Sequence, residues 1–322
     1  MGKKESKPTR LKTRTEAEML AMILGFAQAD NRIRVVLMNG SRVNPNIRKD
    51  IFQDYDLLYF VTDVEPFREE VGVIPHFGKP IIVQKVEDQI YRPGSGDGRY
   101  TYNIQFVDGN RIDMGFLPLE MLERPPSDSL TRVLLDKDSL LSDVATPSER
   151  SYFITEPTQR WYDDCCNTFL FTLGSHIPKT LWRRQLPLLK CHTGRLREDL
   201  VLMLGWYIGV TEDFERSLGS EGRNLQQHLE PTLWRTFEHT YTGPDYEDIW
   251  ESLLTFHSLF ARTARVVGDH YGYQFPAEES EAVSIFLEDV RKLPPDAQDI
   301  YPEHDVEEPV EPSVAGDASQ RA

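Results

Sequence analysis

Near residue 150 the spacing of apolar side chains changes from two to 3.6 residues, and this change limits the fold more than any other feature of the chain. Upstream, the apolar runs are short and end in turn-forming residues: Ile33 to Asn39 stops at Gly40-Ser41, and Asp56 to Thr62 lies between Asp54 and Asp63. Ile81 to Val86 reads as a third strand. Tyr100 to Val107, Asp108-Gly109-Asn110 and Arg111 to Leu117 read as strand, turn and strand, a hairpin. Ahead of them Thr15 and Glu18 have capping-box spacing, and Met19, Leu20, Met22, Ile23, Phe26 and Ala27 repeat on one helical face. A helix followed by a mixed sheet is an α/β (α+β) domain, expected over residues 15–135.

Downstream, Trp161, Tyr162, Cys165, Cys166, Phe169, Leu170 and Leu173 form one helical stripe, and Ile249, Trp250, Leu253, Phe256, His257, Phe260, Ala264 and Val267 another. Further helices are expected around 178–191, 195–209, 231–240 and 278–292, together an all-α helical bundle over residues 150–293. Residues 1–14 carry a net five positive charges, and residues 303–322 a net five negative among prolines. Both ends read as disordered segments, 1–14 basic and 294–322 acidic and Pro-rich.

The net charge of −16 therefore resides in the body of the chain. An acidic body repels phosphate backbones and attracts cations, which disfavours nucleic acid as a partner and suits metal ions or cationic small ligands; solubility alone is the other reading. No apolar run reaches the roughly 18 residues of a membrane span, and the first residues lack the apolar core of an export signal, so a cytoplasmic protein without a membrane partner is expected. Cys165, Cys166 and Cys191 form no CxxC pair, which argues against both a disulfide framework and a structural zinc. The expected assembly state is a monomer or weak homodimer.

The residues with chemical potential are Gly40-Ser41-Arg42, then Asp54-Tyr55-Asp56 thirteen residues after the serine, then Asp113 in the hairpin. Residues two apart on a strand share a side, so Asp54 and Asp56 project together. Three carboxylates placed together repel unless a cation holds them, and Mg²⁺ prefers such oxygen ligands and the phosphates of a nucleotide. Gly40 permits close approach of a phosphate, and Ser41 and the surrounding amides can cradle its oxygens. Arg42 either reaches the same phosphate or pairs with a loop acid. Asp163 and Asp164 either meet an amine of a second substrate or form a solvated helix face. His257 and His270, and the tryptophans on apolar stripes, read as packing residues.

Met38-Asn39-Gly40-Ser41-Arg42-Val43-Asn44-Pro45-Asn46, Phe52-Gln53-Asp54-Tyr55-Asp56, Asp108 to Asp113 and Asp164-Cys165-Cys166-Asn167 together resemble the aminoglycoside 6-adenylyltransferase (streptomycin adenylyltransferase) family, over residues 15–292. Met203 to Gly209 and Tyr246 to Leu253 extend the resemblance. It implies a polymerase-β-like nucleotidyltransferase domain followed by a helical domain, ATP and two Mg²⁺ ions at Asp54, Asp56 and Asp113, and transfer of AMP to a hydroxyl of an aminoglycoside-like, streptomycin-type molecule with release of pyrophosphate. It also implies a phosphate contact for Lys190. Two departures stand out. The family carries glutamate where this chain has Gln185 and Thr168, so a carboxylate that would take a proton or clamp a cationic acceptor is replaced by an amide and a hydroxyl. Gly219-Ser220-Glu221-Gly222-Arg223 likewise exchanges a basic residue for an acid. These departures leave open a different acceptor, or a homologue that binds ligand and is impaired in turnover.

Overall fold

The computed structural model describes residues 11–69, 72–142 and 144–301. The chain divides into two compact units, Met1–Phe153 and Ile154–Ala322. The expectations for residues 1–10 and 302–322 lie outside the described residues.

The first unit opens with α1 (Glu16–Ala29), capped as its sequence requires: Thr15 Oγ1 accepts from the Glu18 amide, and Glu18 accepts from the Thr15 amide. Its Met19, Ile23 and Ala27 are fully buried at four-residue spacing. Six strands follow: β1 (Ile33–Asn39), β2 (Tyr55–Val61), β3 (Pro80–Lys85), β4 (Tyr100–Phe106), β5 (Arg111–Pro118) and β6 (Thr131–Asp136). Two short helices, α2 (Glu65–Arg68) and α3 (Val73–Phe77), connect β2 to β3. The sheet order is β3-β4-β5-β2-β1-β6, with β2 and β5 parallel and the other neighbours antiparallel. The sheet is therefore mixed, and the expected hairpin is β4–β5.

One face of this sheet is covered by α1, α2 and α3 around a core in which the rings of Tyr59, Phe116 and Phe67 stack, with centroids 5.2 and 4.4 Å apart. Burying a ring of this size contributes about 2 kcal/mol. The opposite face carries a smaller apolar cluster of Val35, Leu37, Phe60, Leu117 and Leu122. The β4–β5 turn is tied to the start of the domain by Arg14, whose guanidinium donates to both Asp108 carboxylate oxygens at 2.6 and 3.1 Å. Burial opposes ionisation of Asp108, yet the Arg14 and Asn110 hydrogen bonds outweigh it and hold the carboxyl well below the usual carboxylate range. This latch anchors the end of β5 from which Asp113 projects.

The second unit is helical: α4 (Gln159–Phe171), α5 (Ile177–Trp182), α6 (Leu186–Thr211), α7 (Leu225–His228), α8 (Pro231–Glu238), α9 (Tyr246–Tyr271) and α10 (Ala277–Lys292). Its core includes Trp206 and the stacked rings of Phe169 and Phe260, 3.7 Å between centroids. Thr158 caps α4, Asp245 caps α9, and Gly272 ends α9 in the left-handed conformation. Cys165 and Cys166 are buried free thiols.

The expected helices at 178–191 and 195–209 divide differently. One short helix ends at Trp182, Pro187 opens the next, and α6 then runs unbroken for 26 residues through His192, Thr193 and Gly194. Proline is well placed in a first turn, and one interior glycine costs only about 1 kcal/mol, which the buried face of α6 offsets. The strand β6 was not anticipated. Among the described residues no helix is long and apolar enough to cross a membrane.

Candidate metal and phosphate site

Register brings the three aspartates together. In the parallel pair β2–β5, Asp56 lies directly opposite Asp113. Asp54 lies just before β2, two residues upstream, and shares the side of Asp56. One carboxylate oxygen from each of Asp54, Asp56 and Asp113 lies within 4.8 Å of the other two. All three residues are half-buried and lie on the sheet face that carries Phe60 and Leu117, opposite the face covered by α1, α2 and α3.

Gly40 follows β1 and begins a short 3-10 turn, Gly40–Val43. Its φ of +78° is in the left-handed region, and a β-carbon there would collide with Oδ2 of Asp56 and lie 3.2 Å from its Cγ. Only glycine satisfies both constraints. The turn is thereby pressed against the carboxylates, with Ser41 half-exposed beside them. Gln53, buried, donates from Nε2 to the Ser41 carbonyl at 3.1 Å and locks the turn to the residue preceding Asp54. The sequence reading missed Gln53; a polar residue beside an acid pair was its only local signal.

Arg42 does not pair with a loop acid. Its Nε and Nη2 donate to the backbone carbonyls of Asp54 and Gln53 at 2.9 and 2.6 Å, and its guanidinium lies 3.7 Å from the centre of the Tyr55 ring. Arg42 thus fixes the chain that carries Asp54 and Asp56. Arg111 donates to both oxygens of Asp113, at 2.9 and 2.5 Å, and lies 3.8 Å from Asp54.

One guanidinium does not balance three carboxylates. Burial, then the charges of Asp54 and Asp113, push the Asp56 carboxyl up to about 7, against the opposing effect of Arg111 and Arg42. A crowded set of oxygen donors with this electrostatic strain fits a hard divalent cation such as Mg²⁺. Carboxylate oxygens on adjacent strands, with backbone amides in a turn alongside, can hold such ions against a triphosphate.

The other sequence-derived candidates fall in the helical unit. Lys190 lies on α6, and its ammonium donates to the Thr242 carbonyl, the Thr242 hydroxyl and the Gly243 carbonyl at 3.0, 3.2 and 2.7 Å. Asp163 lines a cavity of about 510 Å³ with Cys166, Asn167, Gln274 and Glu279. Asp164 is exposed and 3.9 Å from Arg160. Gln185 is exposed at the cap of α6, and Thr168 is exposed on α4. His257 bonds the Ser280 hydroxyl at 2.8 Å, a packing contact between α9 and α10.

Comparison with known proteins agrees with these motifs. The model of the streptomycin adenylyltransferase family matches residues 13–290. An aminoglycoside 6-adenylyltransferase of Bacillus subtilis (strain 168) is 36% identical over 280 residues, covering 86% of this chain and 98% of that protein. One from Campylobacter jejuni is 34% identical over 281 residues, covering 87% and 97%. A crystal structure of an aminoglycoside 6-adenyltransferase from Bacillus subtilis aligns over 87% of this chain and 100% of that chain, with 32% identity and a TM-score of 0.43.

Proposed function

The chain belongs to the streptomycin adenylyltransferase family, and from that premise we propose that it transfers AMP from ATP to a hydroxyl of an aminoglycoside of the streptomycin type, releasing pyrophosphate. The observation that carries this reading is the convergence of Asp54, Asp56 and Asp113 beside the Gly40 turn. Asp54, Asp56 and Asp113 would hold Mg²⁺, as two ions, and the bound metal would supply the charge that lowers the pKa of the attacking hydroxyl and offsets that of the leaving pyrophosphate.

This chain's own residues supply position. The Gly40–Val43 turn receives phosphate oxygens through its amides and the Ser41 hydroxyl. Gln53 and Arg42 hold that turn and the Asp54 backbone as one rigid piece, so donors and carboxylates keep a single spacing. Phosphoryl-type transfer asks little of a protein beyond such positioning and charge, which together account for most of the rate. Lys190 reaches the nucleotide only if it leaves the Thr242 and Gly243 oxygens. Asp163, Asp164 and Gln185 belong to the acceptor side of the reading.

A second reading, a ligand-binding homologue with impaired turnover, is favoured by one feature: Gln185 and Thr168 stand where the family resemblance expects glutamate, and neither can accept a proton. Incubating the full-length protein with ATP, Mg²⁺ and streptomycin separates the two. The transferase reading expects pyrophosphate and streptomycin heavier by one AMP; the second expects ATP binding by calorimetry without either product. A protein that does neither contradicts both.

A further inference from the structure

The row of side chains that begins at the aspartates does not end there. Asp56 is the register partner of Asp113 on β5, Asp113 of Asn103 on β4, and Asn103 of Gln84 on β3. The four therefore share one sheet face, with Gln105 and Ile82 paired one step along and Arg111 opposite Gln105. A cavity of about 520 Å³ opens over this part of the sheet, and its border includes Ile82, Gln84, Lys85, Asn103, Gln105 and Arg111.

The cavity is bordered by two cations, Arg111 and Lys85, but the row between them is made of neutral amides that both donate and accept. Asn103 Nδ2 donates to Gln84 Oε1 at 3.0 Å, which leaves Asn103 an acceptor oxygen and Gln84 a donor nitrogen. Gln105 spends its NH₂ on the Gly109 and Asn110 carbonyls at 3.0 and 3.1 Å and keeps its oxygen. Ile82, 66% exposed, adds an apolar surface. The one cation of this row, Arg111, is engaged by Asp113. Lys85 is on the other parity of β3, with Val83. Alternating donors and acceptors beside an apolar patch suit a ring that presents hydroxyls along its edge and C–H groups on its face.

Strand order decides which substrate belongs here. The phosphate turn follows β1, on one side of β2; Asp113, Asn103 and Gln84 continue on the other side. In an in-line displacement at the α-phosphorus, attacking and leaving oxygens lie on opposite sides. With pyrophosphate leaving toward the Gly40 turn, the attacking hydroxyl arrives from the Asp113 side, over the amides. At about 4.8 Å per strand, the row from Asp56 to Gln84 spans about 14 Å, long enough for two linked rings.

We propose that Asn103, Gln84 and Gln105, with Ile82 beside them, form the acceptor subsite and read a polyhydroxylated ring through the hydrogen bonds of their amides. This deepens the adenylyltransferase reading and rests on it. It also gives a chain that lacks glutamate at residues 168 and 185 a means of orienting its acceptor.

The test is steady-state pyrophosphate release by the full-length protein and by Asn103→Ala and Gln84→Ala, the latter being exposed on an edge strand where folding is insensitive to it. Each variant is expected to raise the KM for streptomycin about five- to tenfold while leaving the KM for ATP within about twofold. If the wild-type protein turns over and neither variant moves the streptomycin KM, or the ATP KM rises in step, the subsite is wrong and the transferase reading survives. If the wild-type protein does not turn over streptomycin, that reading fails instead. The subsite is then decided by calorimetric titration of streptomycin into protein saturated with Mg²⁺ and the α,β-methylene analogue of ATP. Binding weakened by Asn103→Ala supports it; binding that is absent, or equal in both proteins, overturns it.

Discussion

Gly40 and Asp56 are close neighbours across two strands: a β-carbon on Gly40 would collide with Oδ2 of Asp56, so no side chain fits between them. The phosphate turn and the central acid are thereby placed by one another, although fifteen residues of chain separate them.

Gly40→Ala should therefore damage catalysis more than stability. The methyl must displace the Asp56 carboxylate, and a displacement near 1 Å at a reacting centre costs about a hundredfold in rate. The left-handed φ adds about 1 kcal/mol of strain, a loss of a few degrees in Tm. Pyrophosphate release and a thermal melt on the same preparation check both; a variant that melts early and keeps full kcat contradicts the relationship.

The charge on Asp56 predicts a pH-dependent response to metal. Its folded-state pKa of about 7 is above the ordinary carboxylate value of 3.8, so the unfolded chain loses this proton first as pH rises. In a chelator, the stability contributed by the protonated carboxyl is complete below about pH 4 and is lost as pH rises to about 7. Mg²⁺ favours the ionised form, so the rise in Tm on adding Mg²⁺ should be larger at pH 8 than at pH 5. Equal rises at both values contradict the assignment.

Arg111 is the resident counter-ion of Asp113 and lies where a metal must compete with it. Arg111→Met should lower the Tm of the chelated protein and tighten Mg²⁺ binding about fivefold, the equivalent of the ~1 kcal/mol expected of a half-exposed pair. Calorimetry reads the affinity directly. Weaker Mg²⁺ binding in the variant would show that Arg111 organises the carboxylates more than it competes for them.

The individual strands and the two helical stripes were legible because each carries its own period, and Asp54-Tyr55-Asp56 because a polar pair interrupts an apolar run. Pairing was not legible. Nothing local in Tyr55 to Val61 or Arg111 to Pro118 says that these strands run parallel, yet that register is what sets Asp56 opposite Asp113. The amide row was hidden for the same reason: Gln84 and Asn103 gain meaning only as neighbours. In β6, Thr131–Asp136, four of six residues are half-buried, leaving too weak an alternation to mark a strand. The contacts of Arg42 were not legible because its partners are carbonyls and a ring, and backbone acceptors leave no trace in composition.

The residues that replace the family's expected glutamates offer a gain-of-function prediction. Gln185 and Thr168 are both exposed, so Gln185→Glu and Thr168→Glu disturb no core. If a carboxylate there orients a cationic acceptor, at least one of the two variants raises kcat/KM for streptomycin about tenfold, with the KM for ATP unchanged. Unaltered kinetics in both variants would leave acceptor orientation to the first unit alone.

The most direct measurement is Asp56→Asn, which keeps the shape of the side chain and removes its charge. Pyrophosphate release with saturating ATP, Mg²⁺ and streptomycin should fall about a thousandfold or more. The chelated variant at pH 8 should melt no lower than the wild-type protein, because a neutral amide replaces an unfavourable charge. Undiminished release by a folded Asp56→Asn protein would contradict the claim that the three aspartates form the reacting centre.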